Sequence, residues 1–77
     1  MQEFRTAPIK TVISEKLFYE TTKSMNGDHL FLKMNFLEGK FVIEKTFPNT
    51  GLGKLDLEDT VKKLGSEKNF KKYLNIK

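Results

Sequence analysis

Aromatic rings and lysines alternate along the segments of this chain that are richest in strand-forming residues. Lys16 stands two residues before Phe18, and Lys33 stands two residues after Phe31. Side chains two apart on a strand point to the same face, so each pair would present a ring beside an ammonium group. Bases of unpaired nucleic acid stack on such rings while ammonium groups neutralise phosphates, with stacking worth about 1–3 kcal/mol per base. These four residues are therefore candidates for binding single-stranded DNA.

Each candidate also has an interpretation that involves no ligand. An isolated surface ring such as Phe18 or Phe31 is often the rim of a core or a subunit contact. Lys33 opposite Glu44 would form a cross-strand ion pair, worth well under about 1 kcal/mol if exposed. The combination of rings and lysines on one surface is what indicates nucleic acid.

Groups that could support catalysis lack the neighbours that catalysis needs. The chain has one histidine, His29, beside a predicted turn, and it has no cysteine. Its acids show no metal-ligand spacing. The segment Gly51-Leu52-Gly53-Lys54 is too short for a phosphate-binding loop and lacks the hydroxyl that should follow the lysine. We therefore expect no enzyme activity, no metal site and no cofactor.

Length and charge narrow the class of protein further. Seventy-seven residues make one small domain, which cannot use disulfides here and would be stabilised by oligomerisation. Residues 1–59 carry eight basic against nine acidic groups, whereas residues 60–77 carry six against one. The basic excess that attracts anionic partners is thus C-terminal. No apolar run has the length of a membrane span or a signal-peptide core, so we expect a cytoplasmic protein.

Glycine-marked turns divide residues 11–47 into three predicted strands. The runs 11–21, 29–36 and 41–47 are rich in β-branched and aromatic residues, and Asn26-Gly27 and Glu38-Gly39 lie between them. Asn-Gly is the strongest short signal for a hairpin. The sequence thus predicts an α+β fold built on an antiparallel meander of three to four strands.

A turn at Glu38-Gly39 determines which side chains share a face of the sheet. In that register Met34 pairs with Ile43 on a face that is largely core, and Lys33 pairs with Glu44 on the opposite face. Phe18 and Phe31 stand on this second, mixed face, which is where we expect the binding site.

Two apolar stripes occupy the C-terminal third, after a predicted short strand at Lys54-Leu55 and a helix cap at Asp56. On a straight helix the two stripes would lie on opposite sides. We therefore predict a kink at Gly65-Ser66, with the glycine as C-cap and the serine as the next N-cap. Alternatively, the second stripe packs against another subunit, which predicts a homodimer. The stripes are Leu57, Val61 and Leu64, and then Phe70, Tyr73 and Leu74.

The order of these features resembles a known family. Three segments carry the resemblance: the turn 36–40 (Phe-Leu-Glu-Gly-Lys), the strand 41–47 with its lysine, and the glycine-rich entry to the helix at 51–57. In this order they resemble the single-stranded-DNA-binding domain of the transcriptional coactivator positive cofactor four and its bacterial and bacteriophage relatives. The resemblance covers about residues 12–65. It implies a curved four-stranded sheet, a kinked helix, dimerisation through the helices and binding of single strands along the sheets.

The resemblance also implies site residues. It places the turn aromatic at Phe36, the turn lysine at Lys40, the basic strand residue at Lys45, a following aromatic at Phe47 and the connector's basic group at Lys54. The chain departs from the family in having no tryptophan and in having Leu37 where the family has a basic residue. The hairpin register conflicts with part of this set, because it places Phe36 and Lys45 on the apolar face.

Together these patterns predict a homodimeric, sequence-tolerant single-stranded-DNA-binding protein that acts in replication, recombination or transcription. Residues 1–10 are expected to form a flexible arm and residues 11–77 the binding domain. One alternative is a small interaction or inhibitor protein that uses an exposed sheet edge or helix face. Another is a three-stranded sheet that reads duplex DNA.

Overall fold

Four strands in chain order form an antiparallel sheet, and two helices follow it. The computed structural model describes residues 6–74. Its elements are β1 (Ile9–Val12), β2 (Leu17–Lys23), β3 (His29–Phe36), β4 (Phe41–Pro48), α1 (Gly51–Leu64) and α2 (Glu67–Leu74). Each strand pairs with the next along the chain. The predicted α+β class and antiparallel meander are confirmed.

Both predicted hairpin registers are present. Phe36 pairs with Phe41 and Met34 with Ile43 across β3 and β4, while Phe18 pairs with Asn35 across β2 and β3. The β3–β4 connection spans residues 37–40, and the Lys40 N–H donates to the Leu37 carbonyl at 3.4 Å around the predicted Glu38-Gly39 turn. Two of its residues, Gly39 and Lys40, have positive φ angles of 85° and 58°, which reverses the chain and leaves the register unchanged.

The predicted first strand, residues 11–21, is in fact two strands. The Ser14 hydroxyl accepts the backbone N–H groups of Lys16 and Leu17 at 3.3 and 3.2 Å. A serine side chain that bonds locally to the backbone offers it an alternative to a strand ladder, and the chain turns back here to pair β1 with β2. The fourth strand is therefore β1, whose first two residues fall in the predicted arm. Residues 1–5 of that arm lie outside the described residues.

The first helix begins earlier than predicted. Thr50 is its N-cap, and the Thr50 hydroxyl accepts the N–H of Gly53 at 3.0 Å. The predicted strand at Lys54-Leu55 and the predicted cap at Asp56 are wrong, because both segments lie inside α1. A Cβ atom on Gly53 would collide with the carbonyl oxygen of Pro48, so the glycine lets α1 pack directly on the end of β4.

The helical region is divided into two helices at Gly65-Ser66. Gly65 is the C-cap of α1, where a Cβ would collide with the Val61 carbonyl. The Ser66 hydroxyl accepts the N–H of Asn69 at 3.1 Å and so caps α2. Two separate helices can point in different directions, which lets both apolar stripes face one core.

That core lies between the helices and one face of the sheet. Phe70 is fully buried, and its ring meets the ring of Phe36 edge-on, with 5.4 Å between the ring centroids. Leu74 also packs against the core, whereas Tyr73 is 52% exposed. The second stripe is thus largely buried within one chain. A dimer is therefore not needed to cover it. The buried cluster comprises Leu17, Leu32, Met34, Phe36, Leu64 and Phe70.

Candidate nucleic-acid interface

The face of the sheet away from the helices, called here the open face, carries balanced charge. Its charged side chains lie opposite one another in a single row across all four strands: Lys10 pairs with Glu20, Glu20 with Lys33, and Lys33 with Glu44. Opposite charges directly across strands stabilise a sheet. Lys33 is therefore flanked by two acids, and the open face has no surplus of positive charge for phosphates.

The two rings of the open face differ in how much surface they offer. Phe31 is only 4% exposed, so it offers no surface to a base. Phe18 is half-buried, and the Lys10 ammonium lies 4.3 Å from the centroid of its ring. The expectation of an exposed ring is wrong for Phe31, whereas Phe18 is partly exposed.

Two further aromatic candidates belong to the opposite face. Phe36 is 1% exposed and forms part of the core with Phe70. Phe47 is half-buried and packs against the same core. The conflict between register and family resemblance is thus decided in favour of the register, because the ring of Phe36 has no face left for a base.

Three of the predicted lysines gather with α2 into a different surface. Lys40 is in the β3–β4 loop, and Lys45 extends from the helix-facing side of β4 so that its ammonium lies 5.6 Å from the centroid of the Tyr73 ring. Lys16, in the β1–β2 turn, bonds Glu38 at 3.2 Å, and Lys71 of α2 approaches the same carboxylate at 3.6 Å. We call this the basic surface; it comprises Lys16, Glu38, Lys40, Phe41, Lys45, Lys71 and Tyr73.

The basic surface combines surplus charge with accessible rings. It holds four lysines, two of which contact Glu38, and its rings Phe41 and Tyr73 are 39% and 52% exposed. The ring of Phe41 lies against Gly39, where a Cβ would come within 2.6 Å of the ring atom Cε2. The turn backbone therefore supports one side of this ring while another part meets solvent.

The electrostatics of the basic surface centre on Glu38. The hydrogen bond from Lys16 and the positive charges of Lys16 and Lys71 lower the pKa of Glu38 below its ordinary value of 4.5. Near neutral pH this carboxylate is ionised and partly neutralises the two lysines that it contacts. Lys40 and Lys45 lie on the same surface, and none of the ion pairs described within residues 6–74 involves them.

Lys54 lies far from this surface. It is exposed in the first turn of α1, beside Gly53 and the end of β4 at Pro48. Lys40 precedes the other end of the same strand. At about 3.3 Å per residue the seven steps along β4 separate the two ends by roughly 23 Å. The structure therefore places Lys16 and Lys45 beside residues of α2, Lys71 and Tyr73, and leaves Lys54 at the opposite end of β4 from Lys40.

Sequence reasoning missed Phe41 as a site residue and assigned Tyr73 to an apolar stripe. The excess of basic residues near the C-terminus includes Lys71, but the sequence does not indicate which of these lysines lies on a binding surface. Spacing alone could not distinguish Tyr73 and Phe41 from core residues: Tyr73 belongs to the same stripe as the buried Phe70, and Phe41 pairs across the sheet with the buried Phe36.

Other chemistry has little support within residues 6–74. No group of three or more metal-binding side chains occurs there. A cleft of about 230 Å³ between β2 and α1 is lined by Tyr19, Leu57, Val61, Glu58 and Lys62, a mixture without a nucleophile paired to a base. Neither described helix is long and apolar enough to cross a membrane.

The chain matches no family model, no curated protein and no solved structure. The resemblance to the positive cofactor four family stays a prediction.

Proposed function

We propose that the protein is a sequence-tolerant single-stranded-DNA-binding protein that uses the basic surface. The observation that carries the proposal is the pair of lysines at Glu38, Lys16 and Lys71, together with the Lys45 ammonium beside the exposed Tyr73 ring. Ammonium groups neutralise phosphates whatever the sequence, and every base has a face that can stack. Binding would therefore depend on strand accessibility and salt more than on base identity.

The geometry favours unpaired over paired DNA. Phe41 and Tyr73 come from different elements, a strand and a helix. A base can stack on such a ring only if it is not already stacked within a duplex. The ammonium of Lys45 beside the Tyr73 ring places a phosphate-binding group next to a stacking group, which matches the alternation of phosphate and base along one strand.

The backbone of Lys40 gives independent support. A non-glycine residue at positive φ is uncommon, and its strain costs on the order of 1 kcal/mol or more. Glycine would relieve that strain at φ 58°, yet the position holds a lysine with an exposed side chain. The backbone conformation alone does not favour lysine at position 40. Phosphate binding by the Lys40 ammonium would explain why a lysine stands there.

A titration by fluorescence anisotropy with labelled oligo-thymidine tests the proposal. For three or four phosphate contacts, log K should fall with log salt with a slope of about −2 to −3, since single strands give about −0.7 per contact. Unlabelled single-stranded competitor should displace the label more effectively than duplex. Binding that is absent, or that does not respond to salt, would contradict the proposal.

Two double variants of equal charge locate the binding surface. Lys40→Asn with Lys45→Gln removes two ammonium groups from the basic surface; asparagine tolerates positive φ. Lys10→Gln with Lys33→Gln removes two from the open face. We expect the first pair to reduce the salt slope by about 1.4, for two lost contacts, and the second to change it little. Equal effects would show that only total charge matters.

A protein-binding role is the second candidate, and the open face favours it. Val12 and Val42 are 65% and 55% exposed there, in the same cross-strand row as Phe18 and Asn35. A neutral face with exposed apolar side chains suits a protein partner better than a polyanion. Replacing both valines by threonine should leave DNA binding intact and remove only such an interaction.

The homodimer stays a prediction, and it now depends on exposed apolar side chains of the helices. Leu52 and Leu55 of α1 are 77% and 57% exposed, and Tyr73 is 52% exposed; these are the apolar helical side chains left for self-association. Light scattering across a concentration series measures the assembly directly.

A further inference from the structure

Three separate elements meet at one carboxylate oxygen. Glu38 projects from the β3–β4 loop, Lys16 from the β1–β2 turn and Lys71 from α2. Both ammonium nitrogens approach the same atom, Oε2 of Glu38, at 3.2 and 3.6 Å. The two lysines are 22 residues before and 33 residues after the glutamate, so tertiary folding alone creates this arrangement.

The two lysines differ in how firmly they are held. The Lys71 ammonium lies 5.8 Å from the centroid of the buried Phe36 ring, which gives it a second contact besides Glu38. Lys16 follows the Ser14-bonded turn, which orders its backbone. An anion placed between them would need to induce little rearrangement, and pre-ordered groups reduce the cost of binding.

We propose that Lys16 and Lys71 form a phosphate-binding subsite of the basic surface, which the Glu38 carboxylate occupies until a DNA phosphate displaces it. This inference rests on the proposed function. A carboxylate oxygen and a phosphate oxygen accept the same charge-assisted hydrogen bonds from ammonium groups. Glu38 thus stands where the ligand's anion would stand.

Displacement of Glu38 is physically feasible because the cluster is open to water. The side chains of Lys16, Glu38 and Lys71 are 53%, 49% and 41% exposed. Exposed ion pairs contribute little stability, so the carboxylate can rotate away while the loop backbone stays in place. The lowered pKa of Glu38 agrees with a position that favours negative charge.

The test compares Glu38→Gln with Asp59→Asn. Both variants remove one exposed negative charge, but Asp59 lies on α1 and forms none of the ion pairs described for residues 6–74. We expect Glu38→Gln to bind oligo-thymidine about two- to fivefold more tightly than wild type, since it removes exposed pairs that a phosphate must break. Its salt slope should stay close to that of wild type, because the same phosphate contacts Lys16 and Lys71 in both proteins. Asp59→Asn should change affinity much less.

A second measurement needs no DNA. Inorganic pyrophosphate is titrated into ¹⁵N-labelled wild type, Glu38→Gln and Asp59→Asn, and the amide signals are followed by NMR. We expect shifts around Lys16 and Lys71 that saturate at lower pyrophosphate in Glu38→Gln than in the other two proteins.

The outcomes separate this inference from the proposed function. If DNA binds but Glu38→Gln and Asp59→Asn behave alike in both titrations, the subsite is overturned while the DNA-binding proposal stands. If no protein binds DNA but pyrophosphate shifts Lys16 and Lys71 selectively in Glu38→Gln, the subsite stands and the proposed function is overturned. Absence of both effects overturns both.

Discussion

Truncating Phe70 tests whether the second apolar stripe belongs to the core of one chain. Phe70 is fully buried and contacts Phe36 edge-on. Replacing a buried phenylalanine by alanine costs about 3–5 kcal/mol, to which the lost aromatic pair contributes about 0.5–1.5 kcal/mol. Domains have about 0.05–0.15 kcal/mol of stability per residue, so roughly 4–12 kcal/mol is available here. Phe70→Ala should therefore remove a large part of the stability, or all of it.

Urea denaturation followed by circular dichroism measures this loss. Phe70→Leu keeps most of the apolar volume and should cost much less than Phe70→Ala. Tyr73→Ala, on the same helix but half exposed, should cost under about 1 kcal/mol, as surface substitutions usually do. The three variants together separate core packing from helix propensity.

The concentration dependence of unfolding decides between the two locations proposed for the stripe. A core role predicts that the midpoint of Phe70→Leu and of wild type responds equally to protein concentration. Two results would refute our account of the helix packing and assign the ring to a subunit interface. One is a loss of less than about 1 kcal/mol in the free energy of unfolding of Phe70→Ala. The other is a loss that appears only at concentrations where wild type is dimeric.

Three other predictions concern the loop and helix boundaries. Gly53→Ala should destabilise the fold, because the new Cβ would strike Pro48. Gly51→Ala should be neutral or stabilising by up to about 1 kcal/mol, because a Cβ there meets nothing within 4 Å. Thermal melts compare the stability of the two variants. Thr50→Ala should cost about 0.5–2 kcal/mol through loss of the helix cap and Thr50→Ser much less, measured in the same melts. Lysine partners lower the pKa of Glu38, so the ion pairs stabilise the folded protein above about pH 4.5. This stabilisation is lost as the pH falls through the lowered pKa. Urea denaturation should therefore show Glu38→Gln less stable than wild type at neutral pH and equal to it in acid. Equal stability of the two proteins at both pH values would argue against that linkage.

Local sequence signals predicted the hairpins well. Gly27 and Gly39 supply positive φ, and the alternation of apolar and polar residues between them specifies a register, because a slip by one residue would reverse every side chain. The core residues Met34 and Phe36 followed from that register.

Boundaries that depend on competing local options were predicted less well. The Ser14 hydroxyl turns the chain within a run that reads as one strand, and Thr50 caps α1 ahead of two glycines that resemble a connector. In both places a side-chain hydrogen bond decided between two conformations that composition alone allows.

The sequence by itself determined the class of fold, the sheet register, the position of the helix break and the presence of excess lysine near the C-terminus, because these depend on neighbours along the chain. Only the tertiary structure decided which lysines and rings share a surface. The direction of α2 after Ser66 buries Phe70, exposes Tyr73 and brings Lys71 to Glu38, while strand order pairs Lys33 with acids on both sides. Side chains distant in sequence become neighbours only when elements pack, so the sum of charge at any one place on the surface is a property of the folded molecule.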